Sequence, residues 1–143
     1  MGFFKKIFGS NEQTLSSEVN TTINLDELNE NELCNLGNAY FRKNQFTKAI
    51  EIYKKALTIN PEHAIVLGGI GAAYIDCNQL TKAIEALQKA IHINPEYDNA
   101  WYNLGNAYYK SKEMDKAAEA FQQAIHISPG HVYAKHNLEL CRQ

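Results

Sequence analysis

Apolar residues along most of the chain recur at helical spacing, in runs separated by polar breaks. Leu33, Leu36, Ala39 and Tyr40 form one such run, and steps of three and four place them on one helix face. Ala49, Ile50, Tyr53, Ala56 and Leu57 form the next. Asn44, and later Asn78, stand where the chain must leave the first helix of a pair. Asparagine tolerates the left-handed conformation that ends helices; Lys112 fits the corresponding slot less well. Pro61, Pro95 and Pro129 close the second helix of each pair, since proline cannot continue it. The predicted unit is therefore a helical hairpin. Leu25 and Leu28 continue the spacing of Leu33 and Leu36, which predicts that the first helix starts at Asn24 or Leu25.

The three prolines are 34 residues apart. So are Gly37, Gly71 and Gly105; Ala39, Ala73 and Ala107; Tyr40, Tyr74 and Tyr108; Lys48, Lys82 and Lys116. The same holds for Ala49, Ala83 and Ala117; Glu51, Glu85 and Glu119; Ala56, Ala90 and Ala124; Ile59, Ile93 and Ile127. Nine positions are thus identical in units 30–63, 64–97 and 98–131. The third unit reads Trp101-x-x-Leu104-Gly105-x-x-Tyr108. This pattern resembles the tetratricopeptide repeat (TPR) family, whose period is 34 residues, over 102 of 143 residues.

A single hairpin cannot bury its apolar face, and about three stacked units are the usual minimum for stability. The glycines and alanines fall where paired helices cross, so that the backbones approach closely. The last unit needs a polar-faced cap, which residues 132–143 supply, with Val132, Ala134 and Leu138 expected inward. The fold expected is all-α: a right-handed solenoid of seven helices over residues 24–143, the first helix of each unit lining a concave face.

Composition sharpens this picture. A net charge of −2 and pI near 6.2 disfavour nucleic-acid binding, which needs a basic face. No apolar run approaches the ~18 residues of a membrane span, and the start of the chain has no secretory apolar core. Cys34, Cys77 and Cys141 are odd in number and widely spaced, which suits a reducing, cytoplasmic compartment better than a disulfide framework. Residues 1–23 lie outside the repeat. Residues 9–22, rich in Ser, Asn, Thr and Glu, read as a linker. Before them, Phe3, Phe4, Ile7 and Phe8 would share one face of a short helix, with Lys5 and Lys6 opposite. That pattern suits a membrane-surface anchor or a hook for a partner, and equally a disordered start or a turn folded onto the solenoid. Gly2 is followed by Lys6 where a myristoylation motif wants Ser or Thr.

A catalytic constellation is not found. Glu51, Glu85 and Glu119 each follow Lys48, Lys82 or Lys116 by three residues, which predicts a solvated ladder of ion pairs on the second helices. His92 and His126 are repeat-equivalent and belong to the scaffold. His131, His136 and Cys141 are spaced by five and do not share a helix face, so no metal site is expected. Gly68-Gly69-Ile70-Gly71 lacks the strand and lysine of a phosphate loop and falls inside a helix. Gly68 and Gly69 are not dictated by the repeat: they are either a bare patch in the groove or drift. No cofactor is implied.

The resemblance implies a non-catalytic interaction module that binds an extended partner peptide along the concave face, as an adaptor, scaffold or assembly factor. Its contact positions are the second, fifth, sixth, ninth, twelfth and thirteenth of each unit. In the first unit these are Asn31, Cys34, Asn35, Asn38, Phe41 and Arg42. The second presents Ile65, Gly68, Gly69, Ala72, Ile75 and Asp76, and the third Asn99, Tyr102, Asn103, Asn106, Tyr109 and Lys110. Asparagine amides pair with peptide backbone, and the aromatic rings offer apolar contact at low entropy cost. Chaperone-binding members hold the C-terminal carboxylates of their partners with five Lys, Asn and Arg side chains. Of those, only Asn38 is matched; Cys34, Gly69, Asn99 and Asn103 replace the rest. Tail binding of that type is not expected. A membrane-associated scaffold using residues 1–8 is the alternative reading, and self-association through an apolar solenoid end remains open.

Overall fold

The computed structural model describes residues 22–143. They form seven α-helices: α1 (Glu30–Arg42), α2 (Phe46–Ile59), α3 (Ala64–Asp76), α4 (Leu80–Ile93), α5 (Asp98–Lys110), α6 (Met114–Ile127) and α7 (Val132–Cys141). Each helix packs on its sequence neighbours, and α1, α3, α5 and α7 also touch in succession. This is the right-handed solenoid of helix pairs that the period predicts. The anchor expected at residues 1–8 and the linker expected at residues 9–22, save its last residue, lie outside the described residues.

The first helix starts later than the leucine spacing suggests. Leu25–Glu27 is a separate 3₁₀ turn, and α1 begins at Glu30. Asn29 decides the boundary. Its side chain accepts from the backbone N–H groups of Asn31 and Glu32, both at 3.0 Å, while the Glu32 carboxylate accepts from Asn29 N–H at 3.0 Å. This reciprocal capping box satisfies the otherwise orphaned donors and wins over the continued apolar spacing. Leu25 and Leu28 still pack against the core.

The turn within each hairpin is built by the backbone. Asn44, Asn78 and Lys112 have φ of 58°, 57° and 65°. The next residue then donates back to the first helix: Gln45 to Tyr40 O at 2.9 Å, Gln79 to Tyr74 O at 2.8 Å and Glu113 to Tyr108 O at 2.9 Å. Lys112 thus adopts the left-handed turn that asparagine adopts more easily. A β-carbon is crowded there, so Lys112→Gly is expected to raise stability by about 0.5–1 kcal/mol, read as an increased midpoint in urea unfolding.

The core follows from the small residues. A methyl group at Gly37, Gly71 or Gly105 would stand 2.5 Å from Tyr53 Cε1, Leu87 Cγ or Phe121 Cε1. Only glycine lets the second helix seat a large side chain there, and Tyr53, Leu87 and Phe121 are fully buried as a result. Trp101 and Tyr108 touch both the main cluster and the smaller one around Phe121, Ala134 and Leu138. The apolar core is therefore continuous from the first pair to α7.

Two expectations about surfaces are corrected. The lysine–glutamate ladder does not form. Lys48, Lys82 and Lys116 instead lie 5.7, 5.8 and 5.4 Å from the ring centres of Tyr40, Tyr74 and Tyr108, a cation–π spacing. Lys116 additionally pairs with Glu113 at 2.5 Å. The repeated tyrosines thus attract the repeated lysines away from the glutamates. Val132 does not face inward; it is 70% exposed. Ala134 and Leu138 are one turn apart and both buried. Val132 lies two residues before Ala134, about 200° round the helix, and so points away. Tyr133 (71%) and Leu140 (37%) are exposed too, so the cap is less polar than expected.

Candidate functional site

The first helices of the three pairs, with α7 behind them, carry the predicted groove residues. Asn31, Asn35, Arg42, Asp76, Asn99 and Lys110 are exposed, and Ile65 is 55% exposed. Phe41, Ala72, Asn103, Asn106 and Tyr109 are half-buried and converge. Together with Ile75, Asp76 and Lys110 they line a cavity of about 240 Å³ between α1, α3 and α5. All eight lining residues hold contact positions of the repeat. Phe41, Ala72, Ile75 and Tyr109 supply apolar wall, and Asn103 and Asn106 supply amides that both donate and accept. Two larger cavities, of about 450 and 360 Å³, lie outside these contact positions, lined mainly by second-helix residues together with Leu67 in one and Trp101, Leu104 and Tyr108 in the other.

The charge on the rim alternates. Arg42, Asp76 and Lys110 occupy the thirteenth position of successive units, one period apart. Among the described residues the ion pairs are Lys55–Asp26, Lys116–Glu113 and Arg142–Glu139. The three rim charges are therefore not committed to one another.

Several predicted contact residues are held by the solenoid itself. Asn38 Oδ1 accepts from Tyr53 Oη at 2.6 Å, and its amide lies 3.9 Å from Cys34 Sγ. Asn106 Oδ1 accepts from Asn137 Nδ2 of α7 at 2.8 Å. Tyr102 packs against His131, ring centres 4.8 Å apart and planes tilted by 39°. Asn31 Oδ1 lies 3.3 Å from His63 Nε2, while His63 Nδ1 accepts from Val66 N–H at 3.4 Å. That cap puts the imidazole proton on Nε2, so the ring donates to Asn31.

The glycine pair is resolved as packing. A methyl group at Gly68 would stand 2.7 Å from Tyr97 Cε1, and one at Gly69 would stand 2.9 Å from Tyr53 Cζ. Of the two alternatives, a bare groove patch or drift, the first does not hold: two tyrosine rings cover the pair, and Gly68 is buried beneath Tyr97. A signal was present in the sequence: Tyr97 stands where the other units carry His63 and His131, so its larger ring needs a smaller neighbour.

Burial pushes the Cys34 thiol up, opposed by the Asn38 hydrogen bond. Tyr53 and Tyr97 are likewise held protonated, first by burial and then by Cys34 nearby. Burial thus favours the neutral forms of these groups on the groove floor and disfavours the Cys34 thiolate. No three His, Cys, Asp or Glu side chains come together as a metal site among the described residues.

The sequence reading missed Tyr133, Asn137 and Leu140. They stand one period after Asn99, Asn103 and Asn106, so α7 takes the place of a first helix in the repeat. Extending the 34-residue offset past the last proline finds them.

Family comparison agrees with this architecture. The tetratricopeptide repeat profile matches residues 31–63 and 99–131, and a TPR repeat profile matches residues 71–112. The chain belongs to the tetratricopeptide repeat family. TPR domains are protein-interaction modules built on a non-catalytic fold. Among solved structures, the Sgt2 TPR domain from Aspergillus fumigatus is 31% identical, with a TM-score of 0.76 over 79% of this chain and 76% of that one. MamA is 34% identical, with a TM-score of 0.75 over 79% of this chain and 66% of that one. The first TPR of Spaghetti (RPAP3), bound to the HSP90 peptide SRMEEVD, has a TM-score of 0.77 over 80% of this chain and 90% of that one. At 21% identity it shares the fold alone. A comparison with curated proteins finds no match. No helix among the described residues is long and apolar enough to cross a membrane.

Proposed function

We propose that this TPR protein is a non-catalytic adaptor that holds one extended partner segment in its concave groove. The observation that carries this reading is the cavity of about 240 Å³ formed wholly by contact-position residues. Its apolar wall takes one bulky apolar side chain of the partner. Asn103 and the unoccupied valences of Asn106 pair with partner backbone on either side. Exposed Tyr133 and Leu140 continue the surface onto α7. Three free cysteines support a reducing, cytoplasmic setting.

The test is selection of peptides from a displayed random library on the full chain, followed by titration on variants. Asn103→Ala/Tyr109→Ala is expected to weaken the selected peptides about tenfold or more, the loss of one hydrogen bond and one apolar contact. Asn38→Ala is a poorer probe, because it also strands the Tyr53 hydroxyl. Selected peptides that bind the double variant unchanged would place the site elsewhere.

A further inference from the structure

A second cavity, of about 450 Å³, opens beside the turn after α2, with Pro61, Leu67, Glu85, Lys89 and Ile93 in its wall and Glu62 at the turn. The other two units show why it is open. In the third unit Trp101 holds the position of Leu67, and its indole donates to Pro95 O at 2.9 Å. Pro95 stands one period after Pro61, so the indole spans the corresponding place. In the first unit Leu28 holds the position of Glu62 and packs against the core with Leu25, while Lys55 is paired with Asp26. The second unit has neither the indole nor the leucine.

We propose that this cleft docks residues 3–8 of the same chain, Phe-Phe-Lys-Lys-Ile-Phe. Three phenylalanines and an isoleucine match the apolar part of the wall, Pro61, Leu67 and Ile93, which lacks the indole of the third unit. Lys5 and Lys6 match Glu62 and Glu85, which outnumber Lys89 in the same lining. The concave groove is the wrong partner for a dibasic segment, because Arg42 and Lys110 outnumber Asp76 on its rim. The approach is short. Leu28 holds the first unit's copy of the Glu62 position and packs against the core, and the cleft lies one unit further along, with neighbouring helices about 10 Å apart. The 13 residues between Phe8 and Thr22 extend to about 40 Å. Such a tether gives an effective concentration in the millimolar range, so even a weak contact is populated.

Hydrogen exchange read by mass spectrometry tests this on the full chain, wild type against Phe3→Ser/Phe4→Ser/Phe8→Ser. The substitutions lie outside the solenoid, and matching circular dichroism melts check that it stays folded. Exchange over residues 61–67 and 85–93 is expected to quicken about threefold or more in the variant, independently of protein concentration. Glu62→Lys/Glu85→Lys is expected to quicken the same segments, while residues 103–110 do not change in either variant. Unchanged exchange at 61–67 and 85–93 overturns the proposal, whether or not wild type sediments with phosphatidylserine vesicles. A change that vanishes on dilution assigns the segment to a second copy, and a change at 103–110 assigns it to the concave groove; either overturns docking in cis at this cleft.

Discussion

Phe121→Ala is expected to cost about 3–5 kcal/mol, the range for deleting a fully buried ring, and to lower the melting temperature by about 10 °C or more. Phe121 has 0% exposure, lies against Gly105 and stands 6.0 Å ring-to-ring from Tyr102. It is also the only large side chain fully buried in the small cluster that holds Ala134 and Leu138 of α7. Its removal therefore acts twice, on the α5–α6 crossing and on the seat of α7. Urea unfolding of the variant is expected to lose the protection of α7 amides before that of α1–α4. A loss below about 1 kcal/mol would mean that the third pair collapses onto the space left behind, at odds with how tightly the glycine-lined crossing is filled.

The peptide SRMEEVD, bound by the first TPR of Spaghetti (RPAP3), is expected to show no saturable binding to this protein in a fluorescence titration up to about 100 μM. Each charge-assisted hydrogen bond to a carboxylate is worth about 1.5–3 kcal/mol, and the cations that would make them are Cys34, Asn99 and Asn103 here. Asn99→Lys/Asn103→Arg is expected to recover about tenfold or more in affinity by restoring two of them. Adding Gly69→Asn is expected to lower stability rather than complete the clamp, because its Cβ would meet Tyr53 Cζ at 2.9 Å. Micromolar binding by the unmodified chain would refute this account of the groove.

Pattern made much of this molecule legible before any coordinates. Period and glycine spacing located the helix pairs, because burial repeats wherever the small residues repeat. What the pattern hid were choices made between segments. Asn29 and Glu32 overrode the leucine spacing because a capping box is local chemistry that periodicity does not weigh. The lysines chose tyrosine rings on the neighbouring helix over glutamates on their own. In the groove, contact positions fixed which side chains face the concavity but not which are already engaged. Asn38 and Asn106 are taken by Tyr53 and Asn137, partners 15 and 31 residues away, and separations of that kind appear only when the stack is assembled.

The contact between Tyr53 and Gly69 bears on how such a chain can be rearranged. One period further on, the same two places hold Leu87 and Asn103. If the second and third hairpins were exchanged, Asn103 would be set against Tyr53, and its β-carbon would fall where the ring now lies. The three hairpins look interchangeable by their shared signature, yet their order is written into the joints between them. Exchanging hairpins in this chain therefore means refitting the Tyr53–Gly69 joint along with them.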